Sequence, residues 1–213
     1  MKTANQGLLY FLTFSVAGYV VFAYGFMPLG AMAHPDMKEA VLSNPVAIYM
    51  HAFASIIALV LGPFQLSPEF RKSHPNVHRW FGRMYLGVGV LIGGLAGLYL
   101  SQDAFGGIVA RLGFFILAML WIFTGIRAYL CIRSGNIEAH KKWMTRNFAL
   151  TLAAVTLRIY IPGSMAAGLD FAVAYPVIAW LCWVPNLIFV EWRYAIARNT
   201  SLQPTPKRGT SER

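Results

Sequence analysis

The sequence predicts an all-α fold: a polytopic membrane helix bundle of six transmembrane helices with both termini cytoplasmic. Three observations predict it. The chain is 57% hydrophobic and only 12% charged, where an ordinary soluble domain carries about 25% charged residues, and its mean hydropathy is +0.54. Its apolar residues gather in six stretches, each close to the ~20 residues a bilayer core requires. Its basic residues fall almost wholly on alternate boundaries of those stretches. At 213 residues there is room for several helices and short loops but not for a separate soluble catalytic domain. Residues 1–199 are therefore expected to form one transmembrane domain. The polar, basic stretch 200–213 reads as a disordered cytoplasmic tail.

The predicted spans run over 8–30, 46–65, 80–101, 108–131, 147–162 extended back to about His140, and 171–192. Turn formers separate them: Pro35 and Pro45, Pro68 and Pro75, Gly106-Gly107, Ser134-Gly135, and Pro162-Gly163. Ala31-Met32-Ala33 resembles a cleavage site, but the preceding apolar run is longer than a signal peptide uses and only Lys2 precedes it, so the first helix is expected to stay uncleaved. With a cytoplasmic amino terminus, all of the 18 Lys and Arg except Lys38, Arg111 and Arg158 lie on the cytoplasmic side, as the positive-inside rule requires. This makes the chain a multi-pass membrane protein.

The formal charge of +10 would suggest nucleic acid in a soluble chain. Here the cations border apolar segments, so anionic membrane lipid and orientation explain them and nucleic-acid binding is excluded. Two cysteines, Cys131 and Cys182, give neither a disulfide framework nor a thiolate metal site.

A basic, aromatic phrase led by histidine occurs twice: His78-Arg79-Trp80-Phe81-Gly82-Arg83-Met84-Tyr85 and His140-Lys141-Lys142-Trp143-Met144-Thr145-Arg146-Asn147-Phe148. Each opens an apolar stretch in the same leaflet, and paired imidazoles can hold a haem or a metal. A second signal is a polar stripe on the fifth helix. His140, Asn147, Thr151 and Arg158 fall within about 20° of one line at ~100° per residue, so this face is expected to look into the bundle or a wet cavity. The plainer reading is that Asn147 and Thr151 bond neighbouring helices while Arg158 snorkels.

The second helix carries a weaker stripe of His51, Ser55, Ala58, Gly62 and Gln65, and the third a small-residue face of Gly89, Gly93 and Gly97. The latter suits close helix packing or a flat cofactor. The sixth helix, with Pro176 and Pro185, is expected to kink, and the first, lacking charged residues between residues 8 and 33, to pack with a face to lipid.

These phrases, with His51, Gly62-Pro63-Phe64-Gln65 and the run from Trp143 through Leu150 to Leu157-Arg158, resemble a family of predicted bacterial multi-pass membrane proteins known only as a domain of unknown function, over roughly residues 45–162. That resemblance implies an inner-membrane protein and leaves the chemistry open. Architecturally the chain also resembles small b-type membrane cytochromes of the cytochrome b561 kind, whose haems sit between helices two apart; His78 and His140 match one such pair, whereas the fourth helix has no histidine to partner His51.

Two function classes follow. In the first, His78 and His140 ligate the iron of one haem b, Arg83 or Arg146 pairs its propionates, and Trp80, Tyr85 and Trp143 line the rim; the protein is then an electron-transfer component of a membrane oxidoreductase, working with quinone. In the second, His51, Gln65, Asn147, Thr151 and Arg158 line a polar interior that binds or transports a small anionic ligand without cofactor. A membrane scaffold is a third possibility. Zinc at His78 and His140 would need His74 or Glu138 in addition. Soluble-type catalysis is not expected, since the sequence has no phosphate loop, no Gly-x-Ser-x-Gly elbow and no His-Glu-x-x-His motif.

Overall fold

Runs of Leu, Ile, Val, Phe and Ala without water to bond their main chain can only close their hydrogen bonds locally, and helix is the result. The computed structural model describes residues 3–201, and every spanning element among them is helical. Six helices are long and apolar enough to cross a membrane: α1 (Gln6–Phe26), α2 (Pro45–Leu66), α3 (Pro75–Asp103), α4 (Gly107–Arg133), α5 (Ile137–Ala166) and α6 (Phe171–Arg198). The shortest, 21 residues, reaches about 31 Å at ~1.5 Å per residue, enough for the hydrocarbon core. Large apolar side chains such as Phe11, Val46, Ile108 and Val173 point outward, which in a bilayer means towards lipid.

The turn formers act mostly as the sequence indicates. Pro45, Pro68 and Pro75 each open a helical piece at its first turn, where the missing N–H costs nothing. Gly106 and Gly107 adopt left-handed φ of 90° and 68° between α3 and α4, a region closed to most side chains. Pro162-Gly163 differs. The helix runs through it to Ala166 and turns at Gly168, φ 75°, because one proline removes one ladder bond without closing the chain on itself. The helix from Val184 is assigned through Ser201, and the rest of the expected tail lies outside the described residues, as do Lys2, Lys207, Arg208 and Arg213.

Three helices are interrupted inside the bundle. In α3 the segment Tyr85–Ile92 is π-helical. In α5 the ladder breaks at Leu152, directly after Thr151, whose hydroxyl bonds back to the Asn147 carbonyl at 3.0 Å; such back-bonding loosens a helix. In α6 the break falls at Cys182–Trp183, just before Pro185, while Pro176 stays inside unbroken helix. The expected kink is thus caused by the second proline alone. The two breaks are stapled together: Thr156 Oγ1 donates to the Cys182 carbonyl, and Asn186 Nδ2 donates to the carbonyls of Cys182 at 3.0 Å and Ala149 at 3.3 Å.

Helix α5 is the hub, packing on α1, α2, α4 and α6 and hydrogen-bonding to α3. The small-residue face of α3 meets the α2 stripe residue by residue. A Cβ at Gly89 would strike the main chain of Ala58, one at Gly93 would meet Ser55, and one at Gly97 the ring of His51. The stripe continues with Gly62, whose place for a side chain is filled by the Phe148 ring, and Gln65, which lies against Gly82. Close packing, not a flat cofactor, occupies these glycines.

Candidate functional site

The polar residues of the interior fall at three depths. The middle one is closed. Tyr85 Oη donates to Asn147 Oδ1 at 2.8 Å and lies 2.9 Å from Thr151 Oγ1. Asn147 Nδ2 donates to the Trp121 carbonyl at 2.7 Å and to Thr124 Oγ1 at 2.8 Å, and Trp121 Nε1 donates to Thr151 Oγ1 at 2.9 Å. All five side chains are buried, Tyr85 and Asn147 completely. Both amide hydrogens, the phenol and the indole have acceptors, so the network asks for no ligand. It joins α3, α4 and α5.

The second depth lies towards the end of the bundle where α2 finishes and α3 and α5 begin, the basic end. His78 stands seven residues before Tyr85 and His140 seven before Asn147, so the Tyr85–Asn147 bond fixes their register. Two turns of helix, ~10 Å, separate each imidazole from that bond on the same helix face. His140 Nδ1 is 2.9 Å from the Ala128 carbonyl. A carbonyl only accepts, so Nδ1 carries a hydrogen. The half-buried His78 has its Nδ1 sealed from solvent with no hydrogen-bond partner, a situation that ordinarily marks a missing ligand or water. Its main-chain carbonyl accepts from Gln65 Nε2 at 3.2 Å. His140, Arg71 and Arg79 are within electrostatic reach of the His78 ring.

The rim expected around these imidazoles does not assemble as the repeated phrases suggest. Trp80 is 59% exposed and lines an outer apolar groove with Ile56, Val60 and Met84. Arg83 is exposed. Arg146 forms a two-pronged pair with Glu191 of α6, Nε–Oε1 2.5 Å and Nη2–Oε2 2.8 Å, and stacks on Trp143 at 4.9 Å and Tyr194 at 5.2 Å. Trp143 lies between that guanidinium and Arg127. The cause is helical phase: Trp80 and Arg83 stand off the His78 line, and Arg146 is drawn to a carboxylate 45 residues away. Tyr85 belongs to the middle network. For zinc, His74 bonds Ser73 at 2.8 Å and Glu138 pairs with Lys141 at 2.7 Å, and among the described residues no group of three or more His, Cys, Asp or Glu suits a metal ion.

The third depth lies near the opposite end. His51 Nδ1 donates to the Gly93 carbonyl at 2.8 Å. Arg158, mostly buried, donates from Nη1 to the Ala154 carbonyl at 2.9 Å and sits over the Tyr19 ring at 5.6 Å. His51 and Tyr24 are within its electrostatic reach. The polar interior expected of His51, Gln65, Asn147, Thr151 and Arg158 is therefore divided: Gln65 beside His78, Asn147 and Thr151 in the closed network, His51 and Arg158 beyond it. Sequence reasoning missed Trp121 and Thr124, which read as ordinary residues of an apolar helix, and Tyr19 and Tyr24, hidden in a helix without charged groups.

Six apolar helices around a polar centre define an integral helical membrane protein. Over residues 48–193 the chain matches the predicted membrane protein family DUF2306, and it belongs to that family. The match takes in α6 as well as the motifs of α2 to α5. No curated protein and no solved structure matches the chain. The likeness to cytochrome b561 draws no support from these comparisons.

Proposed function

We propose that the protein binds one haem b between α3 and α5 at the basic end, where His78 and His140 would hold it, and that it carries electrons within the membrane, exchanging them with quinone. The observation that carries this reading is the His78 ring nitrogen: buried, unpartnered and within electrostatic reach of His140, whose Nδ1 is bonded to the Ala128 carbonyl. The Ala128 carbonyl holds the His140 ring in the tautomer a ligand needs and orients it, as second-shell acceptors do at metal-bound histidines. Arg71 and Arg79, the cations beside His78, take the propionate-pairing role that Arg146 cannot, being held by Glu191. When bound, a haem ligated on both faces supplies one-electron transfer and no open coordination position. The closed network above excludes water from the middle of the membrane.

In this reading the basic end and both termini face the cytoplasm of a bacterial cell, which the charge asymmetry supports. The α3–α4 turn at Gly106-Gly107 is then external, which labelling of single cysteines introduced there and at Gly135 would check.

The decisive measurement is an ultraviolet-visible spectrum of detergent-purified protein expressed with ample haem supply, air-oxidised and then dithionite-reduced. The expected result is a Soret band that moves on reduction and is lost in His78→Ala and in His140→Ala but kept in His74→Ala. A colourless wild type, or a band surviving in both single variants, would overturn the assignment.

A further inference from the structure

We propose that the opposite end of the bundle carries a phosphate-binding site for a membrane phospholipid, built on Arg158 of α5 with Tyr19 and Tyr24 of α1. This stands independently of the haem reading.

An arginine inside a membrane protein is costly and is retained with a compensating partner. Arg158 sits eight residues before the end of α5 at Ala166, about 12 Å along the axis, near where acyl chains meet headgroups. Its Nη1 bonds the Ala154 carbonyl of its own helix, which leaves most of the guanidinium donors over. Among the described residues no carboxylate lies within ion-pair distance of it. The acids of that end are turned elsewhere: Asp36 is 3.6 Å from His34, Asp103 accepts from Asn44 at 3.4 Å, Asp170 accepts from the Val173 N–H at 3.2 Å, and Glu39 is exposed. His51 cannot supply a negative charge, and its Nδ1 is engaged by Gly93.

What surrounds the cation instead is aromatic. The Tyr19 ring lies beneath it at 5.6 Å, and the phenol of Tyr24 is within electrostatic reach. Tyr19 is also 40% exposed on the outer surface of the bundle, so the site opens sideways between α1 and α5, towards the lipid. A guanidinium presents paired donors that fit two non-bridging phosphate oxygens, and a phosphodiester with two acyl chains delivers those oxygens at this depth while its chains cover the apolar faces of α1 and α5. A snorkelling arginine would need none of this, because it would reach water and have no preference among lipids.

The test is thermal unfolding of the full chain in a neutral detergent, titrated with phosphatidylglycerol, with diacylglycerol of the same chains, or with inorganic phosphate. Phosphatidylglycerol is expected to raise the unfolding temperature and diacylglycerol to leave it unchanged, since a ligand stabilises only the state that binds it. In Arg158→Gln the half-saturating lipid concentration should rise roughly tenfold or more, the effect of losing a hydrogen bond to a charged group. Arg158→Lys keeps the charge and serves if the glutamine variant does not fold; its weaker point-charge contact should still shift half-saturation upward. An Arg158-dependent rise with inorganic phosphate alone would uphold the phosphate chemistry and name a soluble ion as its source. Equal stabilisation by diacylglycerol, or a phosphatidylglycerol response unchanged in both variants, would overturn the site.

Discussion

The middle and the basic end of the interior are built on the same two helices, two turns apart, and differ in one respect. Around Tyr85 and Asn147 each of the strong donors has an acceptor. At His78 a buried ring nitrogen has none. Polar groups inside a membrane protein are therefore not equal signs of function. A network that satisfies itself holds helices together; a group left incomplete is where something else belongs.

That contrast can be broken at either side. Asn147→Leu removes the residue that serves α3 and α4 at once and takes away its bonds to the Tyr85 hydroxyl, the Trp121 carbonyl and Thr124 Oγ1. It should cost about 3 kcal/mol, at roughly 1 kcal/mol for each buried bond lost, read as a fall in unfolding free energy in detergent. Gly89→Val drives a side chain into the Ala58 main chain and should cost roughly 1–3 kcal/mol by overpacking, measurable in the same assay. His78→Ala should cost less than about 1 kcal/mol, since its buried Nδ1 makes no hydrogen bond that could be lost. If His78→Ala proved as damaging as Asn147→Leu, the division between a structural middle and a functional end would fail.

Smaller effects sharpen the picture at the surface. Arg146→Gln should lower stability by about 0.5–1 kcal/mol, as for a partly exposed pair, and added salt should shrink the difference between variant and wild type. The smallest lies between α2 and α3, where the Glu69 carboxyl is held below its ordinary range by its own main-chain N–H and then by Ser67. A lowered carboxylate stabilises the fold above its unfolded pKa and ceases to as pH falls through the folded value. Acid titration of Ser67→Ala should therefore show a weaker loss of stability than wild type.

Much of this was legible in the residues. Six spans, their order and the α2 and α3 stripes follow from run length and 3.6-residue periodicity, and the two stripes do pack on each other. The inward face of α5 followed from the spacing of Asn147 and Thr151. What periodicity could not give was the partner of each side chain. Arg146 reads as a cofactor residue until Glu191 comes within reach, and Tyr85 as a rim residue until Asn147 does. The break at Cys182 follows from Pro185, whereas the one at Leu152 carried no such signal, and the side-chain bonds that tie the two breaks together have targets only the assembled bundle supplies.

The π-helical stretch from Tyr85 to Ile92 has a geometric consequence. Widened turns change the phase of everything downstream on the same rod, so α3 can turn Tyr85 to Asn147 of α5 and its glycines to α2. A chain one residue shorter there would keep regular winding and would have to give up one of those two neighbours.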